Sequence, residues 1–176
     1  MNDKLSAFLN LTRRHDDDRE LVDIDALVAD AARLAEPFLS AQGLLLETEI
    51  PDDLPRIRVR KASVRDALLN VLINAAQSGQ STGAVRVSAS VDGRDLRIAV
   101  EDRGAGIPVR QLPKLFDAFY TTRADGTGLG LAIVQRVVAA HQGQVHAENR
   151  PGGGARILLR LPLQPKEVPE WWKRPE

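Results

Sequence analysis

The sequence predicts an α+β fold, a two-layer α/β sandwich in which helices cover one face of a mixed, mostly antiparallel sheet. Three observations predict it. Runs that alternate apolar and polar residues come in neighbouring pairs joined by turn residues, as antiparallel strands require. Segments with helical periodicity stand between those pairs. At 176 residues the chain suffices for one well-buried core with a short helical appendage and is too short for two full domains.

Taken in order, residues 1–14 place Leu5, Phe8 and Leu9 on one helical face before the polar run His15 to Glu20 ends the pattern, so residues 1–20 read as a helical stump. A helix is predicted over 23–42, where Ile24, Leu27, Val28, Ala31 and Leu34 recur at helical spacing and Gly43 closes the run. Pro37 is expected to kink it or end it early. Strands follow over 44–50 and 57–59, separated by a proline-containing turn, and then a helix over 63–78. Residues 85–91 and 96–100 alternate, with Asp92-Gly93 between them as a hairpin turn. Residues 102–128 break into glycines, prolines and aromatics, a stretch longer than an ordinary connection and therefore read as a functional loop. A helix over 129–141 stops at Gly143, and two strands, 144–148 and 155–161, flank Pro151-Gly-Gly-Gly154. The proline-rich tail, 164–176, is expected to be poorly ordered, with the paired indoles of Trp171 and Trp172 docking on a surface.

Composition narrows the function classes. Lys plus Arg and Asp plus Glu each count 24, so no global field draws the chain to nucleic acid or to an anionic membrane. There is no cysteine, which removes disulfides, thiolate metal sites and thiol nucleophiles together. The N-terminus lacks the apolar run of a signal peptide and no stretch is long enough to span a bilayer, so a cytoplasmic location is expected.

Three local patterns carry chemistry. The helix LLNVLINAAQSG is apolar almost all round, and Asn70 and Asn74 stand one turn apart on one face with Gln77 and Ser78 a turn further on. Burying an amide without a partner costs roughly 1–3 kcal/mol. Such a stripe is either a register-fixing or partly exposed helix side, or a surface facing a ligand or an oxygen-held metal. Second, Asp102-Arg-Gly-Ala-Gly-Ile107 follows directly on the strand LRIAVE. A carboxylate there can accept a hydrogen bond from an amine such as that of adenine, while Gly104 and Gly106 let backbone approach a flat ring. Third, Gly126-Thr-Gly-Leu-Gly130 runs into the helix LAIVQRVVAAH, exposing amide donors at the positive end of the helix dipole, as a polyphosphate requires. A Rossmann or P-loop reading fails because no apolar strand leads into these glycines and no Lys-Ser or Lys-Thr pair follows.

In combination, Asn-x-x-x-Asn, Asp-x-Gly-x-Gly, the aromatic segment around Phe116 and Phe119, and Gly-x-Gly-x-Gly resemble the four nucleotide-binding boxes of histidine kinases, in that order. These enzymes share the Bergerat-type ATP-binding fold with gyrase, the heat-shock chaperone and the mismatch-repair ATPases. The resemblance runs from about Val22 to Leu163 and divides the chain into the stump 1–20, an ATP-binding catalytic domain 21–163 and the tail 164–176. It implies ATP and Mg²⁺ as cofactors. Asn74 would ligate the Mg²⁺ and, with Asn70, form the catalytic pair; Gln77 would lie in the same pocket. Asp102 would read the adenine amine, with Gly104, Gly106 and Ile107 shaping the base pocket. Residues 107–127 would form a lid carrying Arg123 to the phosphates, and Gly126, Thr127, Gly128, Leu129 and Gly130 would bring backbone to them.

The hydrolytic branches of the superfamily carry a glutamate one turn before the metal asparagine. Here Asn70 stands there and cannot act as a base at neutral pH. The resemblance therefore implies phosphoryl transfer to a histidine. That histidine would lie on a helical hairpin outside this chain, because His15 lacks the expected context, while His141 and His146 read as structural. Residues 1–14 would be the tail of that hairpin, making the chain a fragment or a separately encoded domain. The implied partners are the hairpin, a downstream response regulator and, for the full-length protein, a second copy, with this chain alone a monomer. The alternatives are a nucleotide-binding regulatory module without transfer activity and a hydrolytic ATPase or serine kinase of the same superfamily. Arg60, Asp66 and Arg156 depart from the family pattern, and the last is expected near the adenine pocket.

Overall fold

A computed structural model describes residues 19–79, 83–123 and 126–163. The stump up to residue 18, with His15, and the tail with Trp171 and Trp172 lie outside the described residues. Chain order is β1 (Glu20–Val22), α1 (Ile24–Ser40), β2 (Leu45–Glu49), β3 (Ile57–Val59), α2 (Lys61–Ala76), β4 (Ala84–Asp92), β5 (Asp95–Glu101), a 3₁₀ segment (Val109–Lys114), α3 (Gly130–Ala140), β6 (Gln144–Asn149) and β7 (Ala155–Pro162). Five strands form one sheet in the order β2-β4-β5-β7-β6, and β1 pairs with β3 in a separate ribbon.

Strand periodicity divides this sheet into two faces. Val85, Val87 and Ala89 of β4, Leu96, Ile98 and Val100 of β5, and Ile157, Leu159 and Leu161 of β7 form the buried face. The three helices cover it, with α2 packed between α1 and α3. That central place explains the broad apolar surface of α2: Val64, Ala67, Leu68, Val71, Leu72, Ala75 and Ala76 are all buried. Its remaining stripe, through Asn70, Ile73 and Asn74, stays partly open to solvent.

On the opposite face a row of charges crosses all five strands in register, Glu47, Arg86, Glu101, Arg156 and Glu148. Signs alternate along it. Arg86 bonds Glu47 at 3.3 Å, and Arg156 bonds both Glu101 and, at 3.0 Å, Glu148. Hydrogen bonding to Glu101, opposed by desolvation, raises the pKa of the Arg156 guanidinium above its ordinary value.

Five details differ from, or add to, the sequence expectation. β2 pairs with β4 in parallel, because the β3–α2 crossover is long enough to return the chain in the same direction. β1 takes Glu20, assigned above to the stump; only Val22 of its three residues is buried, too short a pattern to register as a strand. α1 runs through Pro37 to Ser40, since a proline in the last turn forfeits one hydrogen bond and its fixed φ suits the helix. The hairpin turn lies one residue later than expected: Asp92 pairs with Asp95, which leaves Gly93, at φ +63°, and Arg94 as the loop. The long loop after Asp102 also contains the 3₁₀ segment.

His141 is structural. It is buried, its Nδ1 lies 2.7 Å from the Val137 carbonyl oxygen, and its Nε2 accepts the Arg60 N–H at 3.1 Å. The ring thereby ties the end of α3 to the start of α2 as a neutral Nδ1–H tautomer. Burial holds its pKa below the ordinary value; the Val137 carbonyl opposes this, and the charges of Arg19 and Arg60 add to it. The unfolded chain binds a proton near pH 6.5, about the free-histidine value, while the folded chain resists it. The stabilisation is therefore complete above that pH and is lost as pH falls toward the depressed folded value. Urea midpoints should decline between pH 7 and pH 5 in the native chain, and His141→Gln should remove that part of the slope; parallel profiles would refute the assignment.

Candidate functional site

The open stripe of α2 forms one wall of a cleft of about 690 Å³, a size common for small-molecule sites. Asn70, Asn74 and Gln77 line this wall; Asp102, Gly106 and Ile107 line the base; Arg123 and the glycine run line the far side. Three sequence patterns separated by up to 60 residues thus face one space.

Asp102 owes its position to its neighbours on both sides. It is buried, and its Oδ1 accepts the N–H groups of Gly104 at 2.8 Å and Ala155 at 3.2 Å. Its side-chain hydrogen bonds among the described residues all use Oδ1, which leaves Oδ2 for a ligand. Behind it Glu101 is buried between Arg156 and Arg150, the latter 3.6 Å away, and Arg150 also donates to the Asp102 carbonyl at 2.9 Å. A charged clamp therefore holds the backbone at the carboxylate.

The glycines serve close approach in different ways. A Cβ on Gly104 would overlap Ser78, whose carbonyl accepts the Ala105 N–H at 3.2 Å. Gly104 therefore supports the cleft from behind. Gly106 adopts φ +74° beside Asn149. Asn149 then fixes Ile107 from both sides, accepting its N–H at 2.6 Å and donating to its carbonyl at 2.7 Å.

At the far side Gly128 adopts φ +65°, and its carbonyl accepts the Phe119 N–H at 2.9 Å. A Cβ on Gly128 would collide with the Phe119 backbone. Phe119 is itself at φ +68° and 69% exposed, a left-handed backbone that is strained for a residue with a side chain, whereas Gly128 adopts it freely. Gly128→Ala should destabilise the domain by about 1–3 kcal/mol and weaken ligand binding more than tenfold. Thermal melts and nucleotide titration check this, and native values in both would contradict it.

Gly126 packs against Thr121, whose hydroxyl accepts the Arg123 N–H at 3.1 Å. Gly126, Thr127, Gly128 and Gly130 all line the cleft. Leu129 is 7% exposed and anchors the run in the interior. Gly130 opens α3 beside Asn70: a Cβ there would lie 3.5 Å from the Asn70 Oδ1. Asn70 in turn donates to the Asp66 carbonyl at 3.1 Å.

Arg156 does not approach the cleft; strand alternation turns it to the opposite sheet face, and Ala155 lines the site beside Asp102. Arg60 and Asp66 likewise lie off the cleft wall. Sequence reasoning missed Asn149 and Phe38. Phe38, on α1, lines the cleft mouth, and as one apolar residue on an amphipathic helix it carries no local signal.

A sheet-backed cleft with an asparagine stripe, a carboxylate at its base and a glycine run at a helix N-terminus defines an ATP-binding α/β sandwich domain. Residues 60–165 match the family described as histidine kinase-, DNA gyrase B- and HSP90-like ATPase. The chain is 33% identical to the signal transduction histidine-protein kinase AtoS of Escherichia coli (strain K12) over 94% of its own length and 28% of AtoS. Full-length ShkA, solved in complex with AMPPNP, superposes with a TM-score of 0.80 at 31% identity, covering 95% of this chain and 36% of ShkA. The nucleotide-free catalytic domain of histidine kinase ThkA shares the fold at a TM-score of 0.76 and 23% identity, over 84% of this chain and 97% of that one.

The chain belongs to the histidine kinase-, DNA gyrase B- and HSP90-like ATPase family. It has the fold of a histidine kinase catalytic domain. It spans 28–36% of the length of the first curated relatives it matches. Among the described residues no helix is long and apolar enough to cross a membrane.

Proposed function

We propose that this chain is the ATP-binding catalytic domain of a cytoplasmic two-component sensor histidine kinase, delivering the γ-phosphoryl group of ATP to a histidine on a separate helical hairpin. The convergence of Asn74, Asp102 and the Gly126–Gly130 run on one cleft carries this reading. Asp102 accepts the adenine amine through its free oxygen, with Gly106 and Ile107 along the base. The glycine run and Thr127 offer backbone amides to the phosphates, and Arg123 reaches them from the lid.

Mg²⁺ fits the donor set. This ion keeps several waters and takes substrate phosphates, so it needs few protein oxygens, and Asn74 supplies one at the cleft wall. The bound ion would neutralise phosphate charge; the chain's residues orient the nucleotide and exclude water. Asn70 binds the Asp66 carbonyl through its amide and offers no carboxylate to activate water, which favours transfer over hydrolysis. The acceptor nitrogen attacks γ-phosphorus as the bond to the ADP oxygen breaks. A response regulator would then receive the phosphoryl group, and the hairpin would supply the dimer contacts of the complete protein.

Labelled ATP, Mg²⁺ and a separately made hairpin bearing an acceptor histidine should yield acid-labile, base-stable label on the hairpin. Free phosphate without label would replace the proposal with an ATPase. Tight binding with neither would leave a regulatory nucleotide module.

A further inference from the structure

Phe38 is an aromatic side chain left 45% exposed on the rim of a ligand cleft that it lines. Leu34, one turn earlier on α1, is 42% exposed, whereas the adjoining Leu39 is buried in the core. The helix thus turns a small apolar patch outward at the cleft mouth. Nothing in the mechanism above uses it.

Its place along the cleft follows from the direction of the helices. Lys61, which opens α2, pairs with Asp30 of α1 at 2.9 Å. At the other end, Leu45, which opens β2 after α1, donates to the carbonyl of Gly83, the residue before β4, at 3.0 Å, and these two strands are parallel. The helices therefore run in the same direction, and Phe38, in the last turn of α1, lies beside the C-terminal half of α2. That half leads from Asn74 and Gln77 to Ser78, which contacts the Gly104–Ala105 turn after Asp102. The phosphate end, where Gly130 meets Asn70 and where Asn74 would hold the ion, lies toward the N-terminus of α2 from Gln77 and Ser78.

We infer that Phe38 is a nucleoside-contacting residue, its ring covering the outward side of the adenosine when ATP occupies the cleft. The inference rests on the nucleotide reading above and extends it to a residue on α1. Polar contacts at Asp102 orient one edge of the base but leave its mouth-facing side in water. A phenyl ring on the rim removes that side, and its own exposed half, from solvent together. Such a contact is indifferent to the phosphates, so it should act on ATP and ADP alike.

Titration calorimetry with ATP, ADP and inorganic tripolyphosphate on the native chain, Phe38→Ala and Phe38→Tyr tests this. Phe38→Ala should weaken ATP and ADP by the same factor, roughly fivefold to tenfold for covering half an aromatic side chain, with tripolyphosphate binding unchanged. Phe38→Tyr should restore native affinity, and melting temperatures should stay close to native because the ring is half exposed. Native-like ATP affinity in Phe38→Ala would overturn the inference while the nucleotide reading stands. Affinity loss that tracks a fall in melting temperature and is not restored by Phe38→Tyr would overturn it too. A native chain that binds no ATP overturns both.

Discussion

Asn74→Ala is expected to abolish Mg²⁺-dependent nucleotide binding, with a loss of at least about a hundredfold in Mg·ATP affinity and no measurable phosphoryl transfer. The domain offers the ion little else: among the described residues no group of three or more His, Cys, Asp or Glu side chains could hold a metal. On the proposed reading, removing the Asn74 oxygen would take away the anchor that lets the ion hold the phosphates against α2. The fold should survive, because Asn74 is partly exposed in the last turn of α2 and alanine is the better helix former by roughly half a kcal/mol. Calorimetry with and without Mg²⁺ separates the effects: metal-free binding through the base pocket should persist. Unchanged Mg·ATP affinity in the variant would sink the site assignment.

Asp102→Asn should be nearly as severe and should also change base preference. The Asn carbonyl can still accept the N–H groups of Gly104 and Ala155, now bound to Oδ1, so the backbone turn is kept. The second oxygen becomes an NH₂ donor facing the donor amine of adenine. Losing a charge-assisted hydrogen bond costs about 1.5–3 kcal/mol, and opposing donors add to it, so ATP affinity should fall roughly a hundredfold. Hypoxanthine carries a carbonyl in place of that amine, so the ATP-to-ITP affinity ratio should fall far more than either affinity alone predicts. An unaltered ratio would show that Asp102 does not read the base.

The features visible in the sequence are those with local causes. α2 and α3 are marked by apolar periodicity and by glycines close to the helix ends, and the three polar motifs by their spacing; a register change would scatter each of them. Features built from distant partners left no such mark. Asn149 reaches Ile107 across 42 positions, and its neighbours suggest only the end of a strand. Arg156 falls near the adenine pocket when positions are counted along the chain, yet the two-residue alternation of β7 sends it to the other sheet face, one residue from Ala155. The parallel β2–β4 pair depends on a crossover containing a whole helix, and β1 on three residues of which one is buried. The Asp92-Gly93 signal located the hairpin, but which residue begins the loop depends on the strand pairing.

The charge row across the sheet begins and ends with glutamate. Its end members, Glu47 on β2 and Glu148 on β6, lie on the two edge strands, and Glu49 adds a further carboxylate on the β2 edge. Within the row the interior acid, Glu101, has a base on each side, Arg86 and Arg156. Beyond the edges the next strand of another copy would meet carboxylates first, whichever edge it approached. Edge strands invite such pairing unless charge discourages it, so the same row that secures the internal register limits the sheet to five strands.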